Sequence, residues 1–256
     1  MRATDSPGPS RRHRPELLLA SAPNSGLDGH VTPAFRLRNG DVAPAQQSPT
    51  TCGSASLTVA RMLVDPLFAR WIITGVGHPA GEMPGSNVGD RFAAYELIVH
   101  RRTNGLYGAG QRLNMPWPRA LGTPPWGAKK ELEFGASRHG TVYEVAIVRG
   151  AGRAALEHHF DTLLDVVADG EPALLYVGQA QLPRHVVLVL PDEGDGNLEV
   201  YDPATGRVRE LTREAFAGRR LALSGWDEPW FVVHPTGQLR ERVYELRPSG
   251  FGVAEA

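Results

Sequence analysis

One cysteine stands among 256 residues, Cys52, in the stretch Gln46-Gln47-Ser48-Pro49-Thr50-Thr51-Cys52-Gly53-Ser54-Ala55-Ser56-Leu57. A polar turn ends there and an apolar run with helical spacing begins. A thiol at a helix start faces the positive end of the peptide dipole, which favours the thiolate, the form that attacks a carbonyl carbon. Gln46, six residues earlier, carries a side-chain amide able to donate to the oxyanion such an attack creates. Gln47 is the alternative donor, and spacing favours Gln46. A lone cysteine is more often a small buried hydrophobe than a nucleophile, so the chemistry stands or falls on finding a base and a group that orients it.

His185 begins the apolar run His185-Val186-Val187-Leu188-Val189-Leu190, and Asp202 ends the next one, Leu198-Glu199-Val200-Tyr201. If those runs pair as an antiparallel hairpin, the start of the first lies beside the end of the second. Imidazole and carboxylate then meet at one edge of a sheet. The imidazole takes the thiol proton and later protonates the leaving amine, while the carboxylate fixes the tautomer. Singly, His185 is a strand residue and Asp202 a turn former before Pro203; their joint placement is the signal. His158-His159 invites a metal reading, but neighbours on a helix point apart and chelate poorly. His78, His100, His139 and His234 belong to no motif.

The elements that must hold these groups follow from periodicity. Leu57, Ala60, Met62, Leu63 and Val64 form a helical stripe after Cys52, which Asp65-Pro66 interrupts to start a second short helix. Gly53, Ser54, Ala55 and Ser56 would let the first turn approach other backbone closely. Helices are expected near 90–103, from about Ala128, and over 154–168. Strands are expected at Thr141–Val148, Ala173–Val177, His185–Leu190, Leu198–Tyr201 and Pro229–Val233. Asp192–Asn197 reads as a turn, and Thr212 caps a short helix reaching Phe216. Residues 75–90 read as a Gly- and Pro-rich loop. The Pro-rich stretch from Leu113 to Gly127 carries Trp117 and Trp126, which either wall a substrate groove or plug the core. Residues 1–40 read as a disordered or loosely attached extension, 41–248 as one domain, and 249–256 as a flexible end.

Composition narrows the class. Hydrophobic residues make up 41% and charged residues 21%, with a net charge of −1. That balance gives no electrostatic case for nucleic acid. One thiol excludes an internal disulfide and a multi-thiolate zinc site. No apolar run reaches the roughly 20 residues needed to span a bilayer. The apolar core after Arg11, Arg12 and Arg14 is too short for a Sec signal peptide. The expectation is therefore a protein with no cofactor or metal and no integral membrane segment. It would be cytoplasmic, or exported by a route without a Sec signal.

Gln46 with Cys52-Gly53, then His185-Val186-Val187, then Tyr201-Asp202-Pro203-Ala204-Thr205-Gly206 resembles the papain-like cysteine peptidases that process double-glycine leaders during bacteriocin export. Gly170-Glu171-Pro172-Ala173-Leu174-Leu175-Tyr176-Val177 and Leu211-Thr212-Arg213-Glu214-Ala215-Phe216 also suit that family. The resemblance covers roughly residues 44–66 and 155–222, and leaves about 75–150 as an insertion. It implies an α+β, papain-like fold, with an N-terminal helical part carrying the cysteine packed on a C-terminal antiparallel sheet carrying His and Asp. It also implies Cys52 as nucleophile, His185 as base, Asp202 as orienter and Gln46 as oxyanion donor, acting on a peptide or protein substrate. The same residues would serve a transglutaminase-like acyl transferase or a deamidase. A non-catalytic peptide-binding module is the reading from outside enzymology.

Overall fold

A computed structural model describes residues 34–77, 85–111, 113–138, 140–191 and 196–239. Most of the 1–40 extension, the 249–256 end, His78, His139 and most of the 192–197 turn lie outside them. Residues 34–40 are described, and Phe35 and Leu37 are buried in the main core.

The fold is α+β. Helix α1 (Cys52–Val64) and helix α2 (Pro66–Thr74) are separated by Asp65, whose carboxylate caps α2 by accepting from the Phe68 N–H at 3.0 Å. Helix α3 (Val88–Asn104) starts at an Asn87 cap, and helix α4 (Pro125–Glu131) runs into a π-helical turn, Leu132–Ala136. Strand β1 (Thr141–Ile147) and helix α5 (Arg153–Ala168) follow. Then come strands β2 (Ala173–Gly178), β3 (Pro183–Val189), β4 (Leu198–Asp202) and β5 (Arg207–Leu211). Helix α6 (Arg213–Ala217), capped by Thr212, and strand β6 (Glu228–Leu239) complete the described chain. The six strands form one sheet in the order β1-β6-β2-β3-β4-β5, every pair antiparallel.

Both sheet faces are covered, which explains the unbroken apolar runs of β2 and β3. Leu174, Tyr176, Val186, Leu188 and Tyr201 point to the core shared with α1. Leu175, Val177, Val187, Val189 and Val200 point to a second core with Leu156, Phe160 and Phe216 of α5 and α6. The Cys helix therefore packs on the sheet as expected, with a further helical layer behind it. Alternating side chains serve one core each.

Two strands exceed the sequence expectation. The Arg207–Leu211 run lies outside the expected strands, yet it pairs with β4 from Leu198↔Leu211 to Asp202↔Arg207. β6 extends well beyond Pro229–Val233 and lies in the sheet interior, although it contains Pro229 and Pro235. Each proline sits beside a register slip, one between Tyr176 and Val177 and one between Thr141 and Tyr143. At such irregularities the missing N–H breaks no regular ladder bond.

Candidate active site

Cys52 is the first residue of α1, buried with 3% exposure. Its N–H is one of the four at a helix start that have no intrahelical acceptor. The helix stands close to the sheet because its first turn is small: Ser56 Oγ donates to the Val186 carbonyl at 3.3 Å, next to His185. On its other side a Cβ at Gly53 would come 2.6 Å from the Thr123 side chain, so this position tolerates only glycine without a shift. The close approach expected of Gly53–Ser56 is what seats the thiol.

His185 and Asp202 meet as the hairpin argument requires. β3 and β4 pair through Leu188↔Tyr201 and Val189↔Val200, and His185 Nε2 lies 2.8 Å from Asp202 Oδ1. Both side chains are buried. The Cys52 thiol is close enough to this ring to raise its pKa. With Nε2 held by Asp202, Nδ1 is the nitrogen left for sulfur. Burial is the largest influence on the imidazole and disfavours its charge. The hydrogen bonds and charges of Asp202 and Cys52 outweigh it and push the pKa up to about 9. That shift favours the imidazolium at neutral pH, the form that can protonate a leaving amine.

Burial also works against ionisation of Asp202, but the bonds from His185, Ser224 and the Ala204 N–H prevail and hold its carboxyl below the usual range. Ser224 Oγ donates to Asp202 Oδ2 at 2.6 Å, and the Ala204 N–H donates to Oδ1 at 3.0 Å. Ser224 escaped the sequence reading. It adopts a left-handed backbone (φ 50°), a strained choice for serine, and lies twenty-two residues from its partner. The left-handed turn it occupies leaves little trace in sequence beyond the following glycine.

Gln46 is placed beside this pair, since its N–H donates to the Pro203 carbonyl at 2.8 Å, one residue past Asp202. Its side-chain Nε2 donates to the Ser48 carbonyl at 2.7 Å, which leaves the second amide hydrogen uncommitted by that bond. Its Oε1 is buried with no partner among the described residues. Gln47 instead turns away, its Nε2 donating to the Ala93 carbonyl at 2.7 Å. Tyr176, on β2 facing the Cys helix, has a buried hydroxyl with no partner among the described residues.

Trp117 and Trp126 pack edge-to-face, 5.0 Å between centroids, and Trp126 Nε1 donates to the Met115 carbonyl at 3.0 Å. The residues between them border the thiol segment: a Cβ on Gly122 would meet the Thr50 carbonyl at 2.8 Å, and Thr123 Oγ1 lies 3.2 Å from Ser54 Oγ. His158 and His159 are ring neighbours at 6.2 Å, and His100 Nδ1 lies 3.5 Å from Ser54 Oγ. A surface cavity of about 980 Å³ near Arg36, Arg38, Leu63, Arg138 and Glu199 shares no residue with this site. Among the described residues, no helix is long and apolar enough to cross a membrane.

No protein-family model matches the chain, and no curated protein matches it. A solved structure with a distant likeness is the peptidase domain of Streptococcus ComA, a bi-functional ABC transporter involved in a quorum-sensing pathway. The two share 15% identity with a TM-score of 0.35, over 76% of this chain and 98% of that one.

Proposed function

We propose that this chain is a cysteine peptidase of the papain-like kind, acting through Cys52, His185, Asp202 and Gln46. The observation that carries the reading is a buried imidazole bonded through Nε2 to Asp202, with the Cys52 thiol close enough to raise its pKa. Sulfur attacks the scissile carbonyl carbon, a C–S bond forms, and the carbonyl electron pair moves to oxygen. That oxyanion accepts from the Cys52 N–H and the free amide hydrogen of Gln46. Collapse breaks the C–N bond as His185 gives its proton to the amine. His185, now neutral, draws a proton from water; the hydroxide attacks the acyl group and the thiolate departs. Asp202 keeps the ring in register throughout, and Ser224 keeps Asp202 in place.

The thiol is so nearly enclosed that an extended peptide with small residues at the scissile bond is the substrate that reaches it best. That requirement agrees with the double-glycine leader resemblance. Trp117 and Trp126 flank the border of the thiol segment and offer an aromatic wall for residues further from the cut.

The test is mass spectrometry of a peptide library containing Gly-Gly and Gly-Ala steps, treated with wild type and with Cys52→Ala. Chain breaks that depend on Cys52 are expected. Crosslinks or deamidated glutamines without chain breaks would turn the assignment to acyl transfer or deamidation. Cleavage that survives in Cys52→Ala would end it.

A further inference from the structure

The middle of the chain, outside the segments that carry the resemblance, sends four groups onto the stretch between Gln46 and Ser54. Glu96 of α3 is fully buried, and its Oε1 accepts from the Gln47 N–H at 3.3 Å. One turn earlier on the same helix, the Ala93 carbonyl accepts from Gln47 Nε2 at 2.7 Å. His100, one turn later, and Thr123 both meet the Ser54 hydroxyl. A buried carboxyl is an expensive group to keep, since its desolvation is offset only by the donors aimed at it. Here the donor is the Gln47 backbone N–H; Glu96 Oε2 is buried with no partner among the described residues, and burial raises the carboxyl's pKa. That donor belongs to the loop between Gln46 and Cys52.

We propose that Glu96 is a positioning residue for the oxyanion arm, holding the Gln46–Thr51 loop so that the Gln46 amide faces the carbonyl attacked by Cys52. This rests on the functional reading above. The loop is anchored at one end by Gln46 on Pro203 and at the other by the start of α1. Between those anchors it is a polar turn closed mainly on itself: Ser48, Thr50 and Thr51 bond one another. Glu96 and Ala93 give it an external reference on a rigid helix. α3 is itself fixed to α1 and α4 through the Tyr95 hydroxyl, which accepts from Arg61 and Arg102, and through Arg102 on Glu131. Displacement of an oxyanion donor by a fraction of an ångström weakens its bond to the transition state. It leaves the thiol, seated by α1 and His185, where it was.

Two reagents separate these effects. p-Nitrophenyl acetate acylates a thiol through a tetrahedral oxyanion, whereas iodoacetamide alkylates it by displacement at an sp³ carbon and forms none. The variants are Glu96→Gln, which keeps the acceptor, and Glu96→Met, which fills the same space without one. We expect Glu96→Met to lower the rate of Cys52 acylation by about tenfold or more, against the 10²–10³ seen when an oxyanion donor is removed outright. Alkylation should stay within about twofold of wild type, and Glu96→Gln should retain most of both rates. Equal acylation by Glu96→Met and wild type overturns the proposal, as does a parallel fall in acylation and alkylation. A wild-type Cys52 inert to both reagents removes the nucleophile, and this assignment with it; that failure is recognisable because it precedes any variant.

Discussion

His185 carries the clearest electrostatic signature at the residue scale. Its folded pKa, near 9, lies above the 6.5 of a free imidazole. Its contribution to stability is therefore whole below about 6.5 and is lost as the pH rises through about 9. Asp202 runs the other way: its contribution is present above the ordinary carboxylate pKa and is lost as the pH falls through its lowered value. Urea midpoints measured against pH should thus decline on the alkaline side in wild type. In Asp202→Asn that alkaline decline should flatten. The alkaline limb of kcat/KM, set by loss of the imidazolium, should lie near 9 in wild type and move to lower pH in Asp202→Asn. An alkaline limb unmoved by Asp202→Asn would mean that the carboxylate does not hold the imidazole's proton.

At the scale of elements, the hairpin between β2 and β3 delivers His185. Gly178 is its pinch point: a Cβ there would meet the Leu182 carbonyl oxygen at 2.2 Å and Pro183 Cα at 2.7 Å. These are backbone atoms, so the strand entering His185 would have to move. Gly178→Ala should cost about 1–3 kcal/mol of stability, read from the urea midpoint. Peptide cleavage by the folded protein should fall as well. Unchanged cleavage would show that the imidazole is placed by Asp202 alone. The elements that carry Cys52, His185 and Asp202 were legible in sequence because their cues are local. A helical stripe follows the cysteine, and two apolar runs bracket a Gly-Asp turn. β6 was legible only in part, since Pro229 and Pro235 argue against an interior strand until the register slips beside them are known. Ser224 and Glu96 were not legible at all, because each acts on a partner distant in sequence through a single bond.

For the whole molecule, the sheet divides two cores, and Cys52 lies in only one of them. Phe160 and Phe216 pack at 5.8 Å between centroids in the core of α5 and α6, on the face away from the Cys helix. Phe160→Ala should destabilise the protein by about 3–5 kcal/mol. The population that remains folded should cleave at the wild-type rate, measured as kcat corrected for folded fraction. A matching loss in kcat would show that the two cores are coupled through the sheet. From the described part of 75–150, Phe92, Tyr95, Val99, Ala128 and Leu132 are buried with α1 in the other core, while Val148 joins the core of α5 and α6. Sequence left its role open because its contacts to the Gln47–Ser54 segment join residues far apart in the chain.

Cys52 and His185 are proposed to act as a pair, and the rate of Cys52 alkylation by iodoacetamide near neutral pH reads that pairing. Wild type should react at Cys52 in a single fast phase, and His185→Ala should react about a hundredfold more slowly, with the fold checked by circular dichroism. Equal rates in the two proteins would contradict the account.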